Sequence, residues 1–277
     1  MLSIITVSHN SRKYLEDYVT SFLKFNSNLN AEIIIIENGR DENLDEIFSP
    51  IVALNFPVKI IKTKNNGFGC ACNAGAEVAV GDFLLFVNPD TRFETGLDAL
   101  LNNTADNIWG TGIVKNLAGS SESFDFYPEY KTVFTELFQI SKFTTLLYPF
   151  LKMKIFPTGS FFYLSKKAFQ DVDGFNESFF LYHEEAELAR RLLKRYGPPM
   201  LFANIKSTHI GRTSFVNSHS ALEHETEGFI TYCSVTHQGP LLGVRLRQFR
   251  LLSILSGKVK ARADYLKKQI SKDHNAI

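Results

Sequence analysis

Short apolar runs alternate with amphipathic segments over the first hundred residues. Four runs predict buried strands, at residues 4–7, 33–36, 58–61 and 83–87. Residues 14–25 carry apolar side chains at helical spacing, and the alanine-rich residues 70–80 predict a helix that stops at Gly81. Because strands and helices alternate, we expect right-handed βαβ units, and therefore an α/β fold with a mostly parallel central sheet flanked by helices.

The second half of the chain has a less regular pattern. Residues 120–157 mix aromatic, proline and hydroxyl side chains and predict no particular element. After them we predict a strand at 161–164, helices from Ser165 and at 184–196, and a strand at 200–205 before a loop that contains His209. From about Ser220 onward the sequence pattern predicts helices. We therefore expect one domain at 1–219, with halves at about 1–115 and 116–219, and a helical extension at 220–277.

Charge is distributed unevenly, although its total is close to neutral. The 277 residues include 30 Lys and Arg and 29 Asp and Glu, so nothing indicates nucleic-acid binding. From Pro240 onward, however, the chain has nine Lys and Arg and only two Asp, which predicts a basic tail that binds to a surface. No apolar run reaches transmembrane length. Three cysteines and no recognisable leader favour a reducing, cytoplasmic environment.

Small polar residues follow each of the first four predicted strands, where parallel sheets bind their ligands. They are Ser8-His9-Asn10, Glu37-Asn38-Gly39, Asn65-Asn66-Gly67 and Asn88-Pro89-Asp90-Thr91. At such an edge Asp90 is placed to hold a divalent ion on two phosphates, although an Asn-Pro turn with a solvated Asp explains the motif equally simply. Residues 66–69 precede a helix whose N-terminus could cradle a phosphate, but they lack the dinucleotide fingerprint.

Acidic residues open the predicted helix at 184–196. Glu184 and Glu185 follow the aromatic-rich stretch 179–182, where partial desolvation would raise a carboxyl pKa toward the general-base range. As an isolated pair they are better explained by the helix dipole. His209, near Gly211 and Ser214, is by itself more often a structural residue than a ligand.

In their order along the chain, these segments resemble the inverting nucleotide-sugar glycosyltransferases of family 2 with the GT-A fold, in particular the bacterial rhamnosyltransferase-like branch. The resemblance spans roughly residues 2 to 215. The segments that carry it are residues 3–10, 36–39, 66–75, 86–91, 174–185 and 209–214. Three positions depart from the family pattern. Glu185 and Glu37 each stand where the family has Asp, and Asn88 occupies the first position of the D-x-D motif, a change that is common in this branch.

The resemblance implies a role for each matching position. Asp90, assisted by His209, would bind Mn²⁺ or Mg²⁺ on the donor diphosphate. Glu185, with Glu184 beside it, would be the general base that deprotonates the acceptor. The remaining positions would line the nucleotide-sugar pocket, and they are Ser8, Asn10, Glu37, Asn66, Gly67, Asn73 and Asn88.

The resemblance also implies a substrate class. The donor would be dTDP-rhamnose or a UDP-hexose, and the acceptor a saccharide hydroxyl on a lipid-linked O-antigen or capsule intermediate at the inner face of the membrane. Residues 241–270 interleave Leu, Ile and Phe with Arg and Lys, which suits an anionic membrane surface. The alternative is a helix that packs on the catalytic domain or forms a homodimer contact. A nucleotidyltransferase and a degenerate binding module are the competing functions, and Ser8-His9-Asn10-Ser11 lacks the glycine-rich loop of the former.

Overall fold

The computed structural model describes residues 1–40, 43–102, 108–210, 219–256, 264 and 267. The strands in these residues are β1 (Leu2–Ser8), β2 (Ala31–Glu37), β3 (Val58–Lys62), β4 (Phe83–Val87), β5 (Thr91–Phe93), β6 (Trp109–Asn116), β7 (Phe124–Phe126), β8 (Ile155–Pro157), β9 (Phe161–Ser165) and β10 (Met200–His209). The helices are α1 (Arg12–Asn26), α2 (Leu44–Val52), α3 (Phe68–Val78), α4 (Asp98–Leu101), α5 (Val133–Leu137), α6 (Tyr148–Leu151), α7 (Lys166–Gln170), α8 (Glu184–Tyr196), α9 (His219–Val235) and α10 (Gly239–Ser256).

A central sheet in the order β3-β2-β1-β4-β9-β6-β10-β5 organises the described residues. β3, β2, β1 and β4 are parallel, and β6 is parallel to β10. β9 runs antiparallel between β4 and β6, and the short β5 is antiparallel to β10 at the edge. β7 and β8 form a separate antiparallel pair. The predicted α/β fold with a mostly parallel central sheet is confirmed.

The sequence of β2 shows why this sheet is covered on both faces. All seven residues of its Ala-Glu-Ile-Ile-Ile-Ile-Glu sequence are buried. Since successive side chains point to opposite faces, Ile33 and Ile35 join one apolar cluster and Ile34 and Ile36 join another. α1 and α2 contribute to the first cluster, and α3 and α8 contribute to the second. A continuous apolar run is thus typical of a strand between two helical layers.

Most predicted elements are confirmed, and the clearest difference is in the polar second half of β10. β10 continues past residue 205 through Lys206, Ser207 and Thr208 to His209, where the sequence pattern predicts a loop. This polar stretch is a strand because it pairs with β6 on one side and β5 on the other. α2, β5 and β6 were not predicted, and residues 120–157 form short helices and the β7–β8 pair. Gly211 and Ser214 lie outside the described residues.

The predicted C-terminal extension begins with helices that pack on the sheet-forming domain. On α9, Phe229, Tyr232 and Cys233 are buried in the same cluster as the apolar face of α8. On α10, Phe249 packs against side chains of α5 and α9, and the buried Arg245 forms an ion pair with Glu136 of α5 at 2.8 Å. The start of the segment from Leu241 therefore packs on the domain, which is the stated alternative to membrane contact. Among the described helices, none combines the length and the apolar character needed to cross a membrane.

Candidate active site

The ends of β4 and β10 bring Asp90 and His209 together. β5 starts directly after Asp90 and pairs with β10 so that Thr91 lies opposite His209. Ile210 N–H donates to the Asp90 carbonyl at 2.8 Å, which fixes this register. As a result, Nε2 of His209 lies 3.1 Å from Oδ1 of Asp90 and 3.2 Å from the amide nitrogen of Asn88. Residues 121 positions apart in sequence thus share one polar cluster.

Glu122, which the sequence pattern did not single out, completes this cluster. It lies in the short segment between the turn after β6 and β7, where its N–H donates to the Val114 carbonyl. The Nδ1 of His209 donates to Oε2 of Glu122 at 2.8 Å. Burial disfavours the charged imidazolium, but the hydrogen bonds and charges of Asp90 and Glu122 outweigh it and raise the pKa of His209 to about 9.

The residues of this cluster fit a divalent cation. Asp90 supplies the carboxylate oxygen that Mg²⁺ and Mn²⁺ prefer. His209, whose ring is oriented by Glu122, would supply Nε2 once a bound cation has displaced its proton. Within the described ranges, no group of three or more His, Cys, Asp or Glu side chains is arranged as a complete metal site. Such cations commonly complete their shell with water and substrate phosphates. Asp90 and His209 are therefore suited to a metal that arrives with a phosphate ligand.

The turn Thr158–Ser160 connects this cluster to Glu185. Gly159 N–H donates to Oε1 of Glu185 at 3.1 Å, and a Cβ at Gly159 would clash with that oxygen. The next carbonyl, of Ser160, accepts from Asn88 N–H and from the Thr91 hydroxyl, both at 3.4 Å. The Thr158 hydroxyl donates to the Glu122 carbonyl at 2.7 Å. One small-residue turn therefore supports both the Asp90 cluster and the carboxylate of Glu185.

The two glutamates at the start of α8 have different surroundings. Glu184 is buried, and its Oε2 has no hydrogen-bond partner among the residues that the structure describes. Burial, and then the charge of Glu185, raise the pKa of Glu184 well above its usual value. Glu185 is only partly buried and points to the turn at Gly159. Of the two predicted catalytic residues, Glu185 is thus the one whose carboxylate can meet a ligand.

A strained turn leads into α8. Tyr182 and His183 both have a φ of 69°, in the left-handed region that residues other than glycine rarely adopt. α9 packs directly on this turn, because Gly228 has no side chain. A Cβ at Gly228 would lie 2.8 Å from the Leu181 carbonyl oxygen and closer still to that of Tyr182. The conformation before Glu185 is therefore held by a helix outside the predicted catalytic domain.

Three of the predicted nucleotide-pocket residues lie at the ends of β1 and β2. Ser8 and Glu37 are buried there, and the Ser8 carbonyl accepts from Asn38 N–H at 3.0 Å. Glu37 Oε1 accepts from Gly39 N–H at 2.8 Å, and Asn10 Oδ1 accepts from Arg40 N–H at 3.0 Å. The structure therefore brings Ser8, Asn10 and Glu37 together at one edge of the sheet, where Glu37 also stabilises a turn.

The other predicted residues on this side have contacts within the protein. Gly67, with φ of 110°, abuts the backbone of residues 179–180, and Phe68 N–H donates to the Phe180 carbonyl at 2.9 Å. The N-terminus of α3 is thus covered, which argues against the phosphate cradle that we predicted at residues 66–69. Asn73 exchanges hydrogen bonds with the backbone of Phe175 and so holds the loop before α8. Asn66 is exposed beside the covered turn.

Comparison with known proteins identifies the family. The family model described as Glycosyl transferase family 2 matches residues 3–173. Glycosyltransferase GlyG of Streptococcus pneumoniae is 28% identical over 133 residues, which are 46% of this chain and 43% of that protein. An uncharacterized glycosyltransferase of Haemophilus influenzae is 32% identical over 109 residues, which are 37% of this chain and 43% of that protein. The chain thus aligns with less than half the length of these curated relatives.

Solved structures share the fold at low sequence identity. GalNAc-T7 with UDP, GalNAc and Mn²⁺ has a TM-score of 0.59 at 16% identity, over 83% of this chain and 47% of that one. TarS of S. aureus has a TM-score of 0.55 at 18% identity, over 91% and 43%. Mannosyltransferase PcManGT of Pyrobaculum calidifontis with GDP-Man and Mn²⁺ has a TM-score of 0.55 at 11% identity, over 97% and 79%. The predicted GT-A fold is therefore confirmed.

Proposed function

Because the chain belongs to glycosyl transferase family 2, we propose that it transfers a sugar from a nucleotide diphosphate donor to a hydroxyl group of an acceptor. The observation that carries this proposal is the turn Thr158–Ser160, which ties the Asp90 cluster and Glu185 to one support. Sugar transfer needs a group that stabilises the leaving diphosphate and, close to it, a group that accepts the proton of the acceptor hydroxyl. The solved structures of GalNAc-T7 and PcManGT, which contain a nucleotide or nucleotide sugar with Mn²⁺, support the same class of donor.

On the donor side, we propose that Asp90 and His209 hold Mn²⁺ or Mg²⁺. A bound cation would neutralise charge on the departing nucleotide diphosphate. Glu122 would orient the His209 ring through its Nδ1–H. Ser8, Asn10 and Glu37 lie at the same sheet edge as Asp90, where α/β folds bind nucleotides, so we assign the nucleotide pocket to them.

On the acceptor side, we propose that Glu185 is the general base. It would accept the proton of the acceptor hydroxyl while the oxygen attacks the anomeric carbon and the bond to the diphosphate breaks. A single displacement of this kind inverts the anomeric configuration. A positioned base contributes about 10² to 10⁴ in rate. Glu185 can reach a substrate because, unlike Glu184, it is only partly buried.

The identity of the substrates is a further part of the proposal. Resemblance to the rhamnosyltransferase-like branch favours dTDP-rhamnose or a UDP-hexose as donor, and a lipid-linked O-antigen or capsule saccharide as acceptor. We place such an enzyme at the inner face of the cell membrane. The basic residues from Pro240 onward would add attraction for anionic lipid, and α10 is also a candidate for a homodimer contact.

The experiment that tests the proposed function is a panel of nucleotide sugars with Mn²⁺ or Mg²⁺, read first as thermal stabilisation. A donor at about one hundred times its Kd should add about 2.7 kcal/mol of stability. Transfer to a saccharide acceptor is then followed by NMR, which reports the anomeric configuration of the product. An enzyme that binds no nucleotide sugar, or that retains the configuration, would contradict the proposal.

The metal assignment is tested with Asp90→Ala. This change removes the carboxylate beside His209, so metal-dependent binding of UDP or dTDP should be lost while the fold is kept. Calorimetry with and without Mn²⁺ measures the effect. The matched control is Asp17→Asn, because Asp17 is an exposed carboxylate on α1. Unchanged metal-dependent affinity in the Asp90 variant would refute the assignment.

A further inference from the structure

The segment between β7 and β8 exposes many large apolar side chains. Six residues between positions 134 and 153 each expose more than half of their surface. We call this set the outer face, and it consists of Phe134, Phe138, Phe143, Leu146, Phe150 and Met153. Leu146 and Phe150 are 77% and 84% exposed. Scattered exposed apolar residues are ordinary, but a dense group of them marks an interaction surface.

The exposure is not explained by weak attachment of the segment. Its other side chains, including Ile140, Tyr148 and Leu151, pack in a cluster with Phe124, Phe126 and Ile155. The Tyr148 ring stacks on Phe124, and its hydroxyl donates to the Pro199 carbonyl at 2.6 Å. The inner side chains of the segment are therefore packed against the domain, and this packing leaves the outer face exposed to solvent.

The charged residues of this segment indicate which kind of partner the outer face binds. Residues 134–154 contain three exposed lysines, Lys142, Lys152 and Lys154, and one acidic residue, Glu136, which forms an ion pair with Arg245 of α10. The centre of a protein interface is depleted in lysine. Phe and Leu interleaved with Lys are instead typical of segments that bind the interface of an anionic bilayer.

The position of the segment connects the outer face with the candidate active site. Glu122, which orients His209, lies two residues before β7, and the turn Thr158–Ser160 follows β8 directly. β7 and β8 pair so that Phe124 lies opposite Pro157. Both ends of the segment are therefore fixed at the residues that support Asp90 and Glu185.

We propose that the outer face docks on an anionic lipid bilayer and so brings the active site to the membrane surface. The apolar side chains would enter the acyl boundary, while the three lysines meet the headgroups. Presentation of the site to a membrane-borne acceptor rests on the proposed transferase function, whereas the docking itself does not. The proposal differs from contact through the basic tail, because it assigns membrane binding to residues 134–154.

Flotation of the full chain with vesicles tests the docking. The vesicles are phosphatidylcholine with or without phosphatidylglycerol. Wild-type protein should float with the anionic vesicles, and Phe143→Gln with Phe150→Gln should lower the partition coefficient at least tenfold. Lys142→Gln and Lys152→Gln should each lower it about fivefold. The control pair Leu54→Gln and Val80→Gln, at exposed apolar positions outside the segment, should bind as wild type.

A fluorescence measurement locates the contact. Trp109 is the only tryptophan of the chain and is buried, so it gives a constant background. The emission of Phe150→Trp should shift to the blue when anionic vesicles are added, and that of Val80→Trp should not. Equal flotation of the Phe143/Phe150 variant and wild type would overturn the proposal. The proposal would also be overturned if wild-type protein self-associates without binding vesicles and the Phe143/Phe150 variant does not self-associate. That result would assign the outer face to contact with a second copy of the chain.

The transferase function is measured separately, on a soluble saccharide acceptor. The Phe143/Phe150 variant should transfer sugar to it at the wild-type rate. If neither protein transfers sugar but only wild type floats, the proposed function fails and the docking surface stands. If both transfer sugar and float equally, the docking surface fails and the function stands.

Discussion

Glu184 and Glu185 are neighbours in sequence, but the fold gives their carboxylates opposite surroundings. Glu184 is buried, and one of its oxygens has no partner within the described part of the chain, whereas Glu185 accepts from Gly159 N–H at the site. We expect Glu185→Gln to reduce kcat by about 10² to 10⁴, because it removes the proton acceptor and keeps the shape. The Kd for the donor should not change. Single-turnover rates and calorimetry measure the two quantities.

The matched variant is Glu184→Gln, which should keep most of the turnover. The pKa of Glu184 is raised in the folded protein, so the folded state binds its proton more tightly than the unfolded chain. Wild-type stability is therefore lost as the pH rises above the usual carboxyl pKa of 4.5. Glu184→Gln should flatten this slope in thermal melts. If it is the inactive variant instead, the general base has been assigned to the wrong glutamate.

Glu122 is the residue whose role depends most on the fold. Because it orients the His209 ring through Nδ1, Glu122→Gln should weaken Mn²⁺-dependent UDP binding about 10- to 100-fold. Titration calorimetry measures the affinity, and UDP binding without metal should be unaffected. Glu16→Gln, an exposed glutamate of α1, serves as the control. An unchanged affinity would show that His209 does not depend on Glu122.

At the scale of elements, α9 acts as a support for the start of α8. His183 has its ring near those of Phe229 and Tyr232, with centroids 5.7 and 6.1 Å apart. Burial, and then the charge of Lys131, lower the pKa of His183 to about 3, so it stays neutral against this apolar surface. The family match ends at residue 173, so both α8, which carries the proposed general base, and α9, which supports it, lie beyond the match.

Gly228→Ala tests this support. The added methyl group would meet the carbonyl oxygens of the Tyr182 turn, which should cost about 1–3 kcal/mol of stability and displace Glu185. We expect kcat per folded molecule to fall while the Kd for the donor is kept. The control is Gly243→Ala in α10, which meets no atom within 4 Å and should stabilise by about 0.5–1 kcal/mol. A purely structural role for Gly228 would lower the melting temperature and leave kcat unchanged.

At the scale of the whole molecule, the question is whether α10 belongs to the catalytic unit. Phe249→Ala removes a buried ring from its contact with Val133, Ile230 and Leu246, and should cost about 3–5 kcal/mol. Val244→Ala, at an exposed position of the same helix, should change the stability by less than about 0.5 kcal/mol. Denaturant unfolding compares the two. Equal stabilities would mean that α10 is detached in solution.

The packing of α10 also changes how membrane binding should be tested. Leu241, Leu242 and Leu246 contact the domain, so deletion from residue 239 would expose apolar surface on α5 and α9. Such a truncated protein would confuse lipid binding with destabilisation. Point substitutions on the outer face, made in the full chain, avoid this difficulty.

The sequence by itself determined the elements whose apolar patterns are strong. β1, β2 and β4 lie where the sequence placed them, because a continuous apolar run has a stable position only between two covering layers. α8 lies where predicted because its apolar residues recur at helical spacing on one face. It also placed Asp90 after β4 and Glu185 on α8, since both positions follow from local order along the chain. The pattern was weak in β6 and in the polar end of β10, where pairing with neighbours rather than composition decides the structure.

Only the tertiary structure decided which of these residues meet. The reversed strand β9 between β4 and β6 sets the Thr158–Ser160 turn between Asp90 and Glu185, and no local pattern encodes that strand order. Glu122 reaches His209 across 87 positions of sequence. Burial, which separates Glu184 from Glu185, depends on every element packed around them. Local order thus gave the types of residue at the site, and long-range pairing gave their distances, partners and protonation.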